Sequence, residues 1–131
     1  MPHEKQKKES LKWFQHAVED LRFAKYGLEA NPPFLKGSTF HAQQCAEKSI
    51  KGYLVFHGKR VPRTHDLRGL AELVFEINPS LDGKIENIGD LTKYITASRY
   101  PTELEFTNDL VQQAISIASL VYEILYREIS E

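Results

Sequence analysis

The chain has 131 residues, 41% of them apolar, enough to fill the core of one ordinary domain without metal or disulfide support. Seventeen Lys and Arg against eighteen Asp and Glu leave a formal net charge of −1, which argues against a bulk-electrostatic nucleic-acid or membrane binder and leaves room only for a local basic patch. The apolar runs are too short to span a membrane, the charged start lacks the apolar follow-on of a secretory signal, and the single cysteine, Cys45, has no internal disulfide partner. The expectation is a reduced, cytoplasmic, single-domain protein.

Residues 1–9 are polar and lysine-rich and read as a flexible lead-in to a domain over 10–131. From about Ser10, a candidate N-cap, Trp13, Ala17, Leu21, Ala24 and Leu28 recur at helical spacing, and Asn31-Pro32-Pro33 stops that helix. A second helix is predicted from about Phe34 to His57, with Phe40, Ala46, Ile50, Tyr53 and Leu54 on its apolar face and Gly58 as its left-handed terminator. After a basic loop, Thr64 or Asp66 caps a short helix carried by Leu67, Leu70, Leu73, Val74 and Ile77, which Asn78-Pro79 ends. A weaker helix covers about Gly83 to Ser98 through Ile85, Ile88, Leu91, Tyr94 and Ile95, and Pro101 turns the chain after it. The last helix starts between Thr102 and Asp109, with Thr102/Glu105 as a capping box and Thr107 as a rival cap. No strand alternation and no repeat is present. The predicted fold is all-α, an up-and-down bundle of about five helices, four long and amphipathic and one short.

The last helix carries two apolar stripes. Leu110, Ala114, Ile117, Val121 and Ile124 form the expected core face; Val111, Ile115, Ala118, Tyr122, Tyr126 and Ile129 lie about 100° round from it. Together they cover more of the circumference than a half-buried helix needs. Ile115, Tyr122, Tyr126 and Ile129 are therefore the expected surface of a symmetric homodimer. The other reading makes this the central helix of its own bundle.

Glycine-rich phosphate loops, paired-cysteine zinc spacing and serine-hydrolase elbows are missing from the sequence, and no two of the five histidines stand at helical i,i+3 or i,i+4 spacing. No metal and no cofactor is expected. Three polar groups remain as candidates. His41, Gln44, Lys48 and Lys51 share one side of the second helix, beside a ladder of Gln43 and Glu47, and present cations, an imidazole and an amide suited to a phosphate. The loop from His57 to Arg68 concentrates Lys59, Arg60, Arg63, Arg68 and His65. Ser98-Arg99-Tyr100-Pro101 sets a guanidinium and a phenol on a stiff turn, where Arg99 suits a bidentate phosphate contact and Tyr100 a stacked base. Each of these also has an ordinary reading as solvated surface or, for Arg99, as a helix C-terminal cation.

Three ordered blocks resemble the HEPN domain family. The first is Trp13-x3-Ala17-x2-Asp20-Leu21-x2-Ala24. The second is Phe40-His41-Ala42-Gln43-Gln44-Cys45-Ala46-Glu47-Lys48-Ser49-Ile50-Lys51 with Gly58 and Thr64-His65-Asp66-Leu67, and the third is Tyr94 with Ser98-Arg99-Tyr100-Pro101. The resemblance implies a helical bundle that is commonly dimeric, a small nucleotidyltransferase as partner, and a toxin–antitoxin-like pairing. In the ribonuclease branch of that family an Arg is followed after four to six residues by a His. Here Arg99 is followed at those positions by Leu104, Glu105 and Phe106, and no histidine occurs after His65. The resemblance thus implies a non-catalytic binding module that takes a nucleotide or an RNA phosphate at the Arg-Tyr-Pro turn. A divergent metal-independent ribonuclease toxin and a ligand-free scaffold are the alternatives.

Overall fold

A computed structural model of the chain describes residues 3–85, 88, 91 and 106–130, and among these all regular structure is helical. Helix α1 is Glu4–Glu29, α2 is Leu35–Phe56, α3 is Leu67–Ile77, and a 3-10 turn occupies Pro79–Leu81. Helix α4 is Asn108–Ser130. The all-α bundle expected from the periodicity is the observed fold. The helix expected over 83–98 lies mostly outside the described residues, although Ile85, Ile88 and Leu91 are buried as its core face requires.

The helix ends follow local chemistry. The expected lead-in is helical from Glu4 onward, because its Glu, Lys and Gln side chains are good helix formers and the backbone N–H of His3 donates to Gln6 Oε1 at 3.1 Å. Ser10 is consequently not an N-cap. It lies inside α1, buried, and its hydroxyl donates to the Gly52 carbonyl on α2 at 2.7 Å. At the other end the Phe34 N–H donates back to the Gly27 carbonyl at 2.9 Å, closing the turn into α2. Gly58 takes φ +71° after α2, as the left-handed terminator predicts. The Asp66 carboxylate accepts from Arg68 N–H at 3.2 Å to cap α3. Thr107 is the cap of α4, its hydroxyl accepting from Leu110 N–H at 3.1 Å.

Helix α2 is the central element, with thirteen of its twenty-two residues buried. Ser38, Ala42, Cys45, Ser49 and Gly52 form a stripe of small side chains along it, and this stripe admits close neighbours. The neighbours are α1, antiparallel to α2 across the short turn, and α4, which runs in the same direction as α2. Lys36 Nζ near the start of α2 lies 5.9 Å over the Phe106 ring just before α4, and Cys45 Sγ at the middle of α2 is 3.9 Å from the Ala118 carbonyl. A Cβ on Gly52 would lie 2.8 Å from the Phe14 ring, so the absence of a side chain there sets the α1–α2 separation.

Two expectations about burial change. Phe40, expected in the core, is 37% exposed. On α4 the buried arc is Val111, Ala114, Ile115, Ala118, Val121 and Leu125, between the two stripes read from the sequence. Leu110, Ile117 and Ile124 of the expected core stripe are only half-buried. The side of α4 turned to α2 is the one that carries Ala118, whose carbonyl lies 3.9 Å from Cys45 Sγ. No helix among the described residues is long and apolar enough to cross a membrane.

Candidate functional site

Two buried carboxylates organise the polar residues of the bundle. Asp20 interrupts the apolar stripe of α1 between Ala17 and Ala24 and is 8% exposed. His41 Nδ1 lies 2.7 Å from its Oδ1, and Lys48 Nζ donates to its Oδ2 at 2.6 Å. A carboxylate only accepts, so the His41 proton on that face is on Nδ1. Both partners come from α2 one helical turn on either side of Gln44, so Asp20 joins α1 to α2 through two charge-assisted hydrogen bonds.

The second centre is Glu47, 4% exposed on α2. Gln43 Nε2 donates to Glu47 Oε1 at 3.0 Å, Lys51 Nζ to Oε2 at 3.0 Å, and His65 Nδ1 from the basic loop reaches Oε1 at 2.9 Å. Gln44 Nε2 donates to Gln43 Oε1 at 3.2 Å, extending the network toward the surface. Lys51 also lies 6.0 Å over the Trp13 ring. The carboxylate thus receives three donors, which satisfies a group that would otherwise be costly to bury.

The geometry redistributes the predicted site. His41, Gln44, Lys48 and Lys51 are one face of α2, as read, but they divide between two internal carboxylates: His41 and Lys48 serve Asp20, while Lys51 and His65 serve Glu47. These four are directed at the protein's own acids, and Gln44 at the Gln43 amide, rather than jointly at an outside phosphate. Ser98, Arg99 and Tyr100 lie outside the described residues. Of the expected dimer surface, Ile115 is 3% exposed and covered by its own bundle; Tyr122 and Ile129 are half-buried. Tyr126 stacks on Tyr122 at 5.6 Å, and both rings meet Phe14 edge-on at 5.5 and 6.0 Å. Ile115 is therefore buried within its own bundle and offers almost no surface to a second copy.

Asp20 is the residue the phosphate reading left out, and Gln43 and Glu47, read as a polar ladder beside that face, turn inward as a buried centre. Their signal was a carboxylate in a buried helical register, Asp20 beside Leu21 and Glu47 beside Ala46. Sequence reading also missed a surface feature. Glu19, Arg22, Phe23, Tyr26, Gly27 and Phe34 line an open, largely apolar cavity of about 460 Å³ at the α1–α2 turn. The Phe23 ring lies against His41 at 4.2 Å, so the cavity adjoins the Asp20 centre. A separate cavity of about 550 Å³ beneath the basic loop is lined by Leu54, His57, Lys59, Arg60, Leu73, Glu76 and Ile77. There burial against Tyr53 and Phe56, and next the Lys59 charge, hold the His57 pKa below its ordinary value.

Comparison with known proteins agrees with the blocks that the sequence displayed. The HEPN domain model matches residues 10–129. A protein of Methanocaldococcus jannaschii named "Putative toxin MJ1304" is 30% identical over 129 residues, covering 86% of this chain and 83% of that protein. The crystal structure of ST0689, an archaeal HEPN homologue, superposes with a TM-score of 0.74 at 27% identity, over 92% of this chain and 97% of that one. On the family match across nearly its whole length, the chain belongs to the HEPN domain family.

Proposed function

We propose that this HEPN protein is a non-catalytic, homodimeric binding module of the cytoplasm that pairs with a small nucleotidyltransferase in a toxin–antitoxin-like system. Its likeness to a toxin-named relative extends over most of both chains, which favours a role in such a pair over a general scaffold. The observation that carries the non-catalytic reading is the run after Arg99. Leu104 and Phe106 cannot move a proton, and Glu105 stands where the ribonuclease branch places histidine. The remaining candidates give no substitute: His41 is bonded to Asp20 and His65 to Glu47, two separate centres. Arg99 then serves to hold a nucleotide or RNA phosphate by charge, with Tyr100 beside it.

The experiment has two arms. Calorimetric titration of nucleotides and of a short RNA against wild type and Arg99→Ala is expected to give heat only with wild type, and the RNA is expected to stay intact on prolonged incubation. The adjacent reading frame is expected to encode a small nucleotidyltransferase, and co-expression with it is expected to yield a co-purifying complex. RNA cleavage abolished by Arg99→Ala would instead establish the ribonuclease reading. No heat and no complex would leave the scaffold.

A further inference from the structure

The cavity of about 550 Å³ beneath the basic loop has the size of a small-ligand site, for which the usual range is about 300–1,000 Å³. Its floor is aliphatic: Leu54, buried near the end of α2, with Leu73 and Ile77, half-buried at i and i+4 on α3. Its rim is polar and exposed: Lys59 and Arg60 from the loop, and Glu76 on the same face of α3, one turn after Leu73. None of these three charges is in an ion pair among the described residues. His57 also lines the cavity; desolvation and next the Lys59 charge keep it neutral at pH 7, so it offers a hydrogen bond and no third charge. The loop that carries the cations is tied at both ends. Lys59 N–H donates to the Leu54 carbonyl at 2.9 Å, and His65 Nδ1 reaches Glu47 Oε1 at 2.9 Å.

Two cations, one acid and an aliphatic floor set three demands on an occupant. The cations call for an anionic group, best a carboxylate gripped by the planar fork of Arg60 with Lys59 beside it. The acid calls for a donor close to that anion, and it repels a ligand that carries phosphates along its whole length. The floor calls for an aliphatic side chain, because apart from the His57 imidazole no ring lines the cavity on which a nucleobase could stack. The last residue of a polypeptide meets all three demands from one Cα atom, which bears a carboxylate, an N–H and a side chain. We propose that this cavity binds the C-terminus of a partner polypeptide that ends in an aliphatic residue. Arg60 and Lys59 hold the terminal carboxylate, Leu54, Leu73 and Ile77 receive the terminal side chain, and Glu76 accepts from the backbone N–H. The inference is independent of the nucleotide reading above, since it uses no residue of the Arg99 turn.

The test is fluorescence anisotropy of the peptide Gly-Ala-Ala-Leu, labelled with fluorescein at its N-terminus, titrated with the full chain to about 1 mM. Circular dichroism shows that each variant is folded. The free-acid peptide is expected to bind, while its C-terminal amide and a peptide ending in Asp bind about tenfold more weakly or worse. Arg60→Ala and Lys59→Ala are each expected to weaken binding about tenfold, and Glu76→Ala about fivefold. Arg68→Ala removes a cation of the same basic stretch that lines a different cavity, and it is expected to change nothing. No binding up to the highest concentration overturns the site. Equal binding of acid and amide overturns recognition of the terminal carboxylate. A loss with Arg68→Ala as large as with Arg60→Ala reduces the effect to general basic charge and overturns the site as well. A short RNA that displaces the peptide and binds more tightly than it, and that Arg60→Ala releases, makes the loop a phosphate surface and overturns the peptide reading.

Discussion

Cys45 shows how one buried side chain writes itself into solution behaviour. It is wholly buried between α2 and α4, and burial pushes its thiol pKa up from an ordinary 9.0 to about 12, with the Ser49 hydroxyl opposing. A folded pKa above the unfolded one means that the stabilising difference is complete below pH 9 and is lost as pH rises toward 12. The loss approaches about 1.4 kcal/mol per pH unit in that window. Between pH 9 and 10 urea midpoints of the wild type should fall, mostly through Cys45 and in smaller part through Tyr53 and Tyr122, whose pKa values burial also raises from an ordinary 10.0. Those of Cys45→Ala, although lower throughout, should fall less steeply, keeping only the tyrosine part of the loss. The native thiol should also resist a disulfide reagent at pH 8 until the protein unfolds. A second test at this scale concerns Gly27, where a Cβ would stand 2.4 Å from Ser38 Oγ. That hydroxyl is buried without a hydrogen-bond partner among the described residues, so Ser38→Ala should cost nothing or stabilise slightly. Gly27→Ala should destabilise the wild type by about 1 kcal/mol and become neutral or favourable in the Ser38→Ala background, a coupling that a thermal-melt double-mutant cycle reads directly.

At the scale of elements, the contact that sets the α1–α2 distance is Gly52 against Phe14. Gly52→Ala gains helix propensity but forces the Phe14 ring from its place, and the net cost should be about 1–3 kcal/mol in chemical denaturation. An exposed control, Gly37→Ala, meets nothing closer than 3.8 Å and should stabilise α2. The helices themselves were legible: Asn31-Pro32-Pro33, Gly58, Asp66, Asn78-Pro79 and Thr107 each ends or begins an element for a local stereochemical reason that no tertiary contact alters. Which face is buried was less legible. Helix α2 is covered by α1, α3 and α4 together, so an apolar stripe does not identify its closest contacts, and the small stripe from Ser38 to Gly52 does. On α4 the buried arc takes Ala114 and Val121 from the expected core stripe and Val111, Ile115 and Ala118 from the other, so the two stripes share the core. Ser10 failed as an N-cap because a serine in a helix interior can give its hydroxyl to a neighbouring backbone carbonyl, here that of Gly52.

Over the whole molecule, two carboxylates fasten segments that are far apart in sequence. Asp20 holds α1 to α2, and Glu47 holds the basic loop to α2 through His65, eighteen residues away. From the sequence, the shared face of His41, Gln44, Lys48 and Lys51 was visible, but its direction was not. Periodicity says that side chains are neighbours and is silent on whether an acid from another helix waits beneath them. The two partners of Glu47 separate the energetic from the positional part of that centre. Lys51 is nearly as buried as Glu47 itself, with side chains 10% and 5% exposed, so Glu47→Ala strands an ammonium without a counter-charge. That variant should lose about 3 kcal/mol or more. Glu47→Leu combined with Lys51→Met removes both charges at once and should recover most of the loss, as thermal and urea melts will show. His65, more than half exposed, adds little energy but fixes where the loop lies. His65→Ala should therefore leave the melting temperature nearly unchanged while speeding tryptic cleavage after Lys59, Arg60 and Arg63. Equal cleavage rates in variant and wild type would mean that the basic loop is placed by its own chain geometry, and that Glu47 serves Lys51 and Gln43 alone.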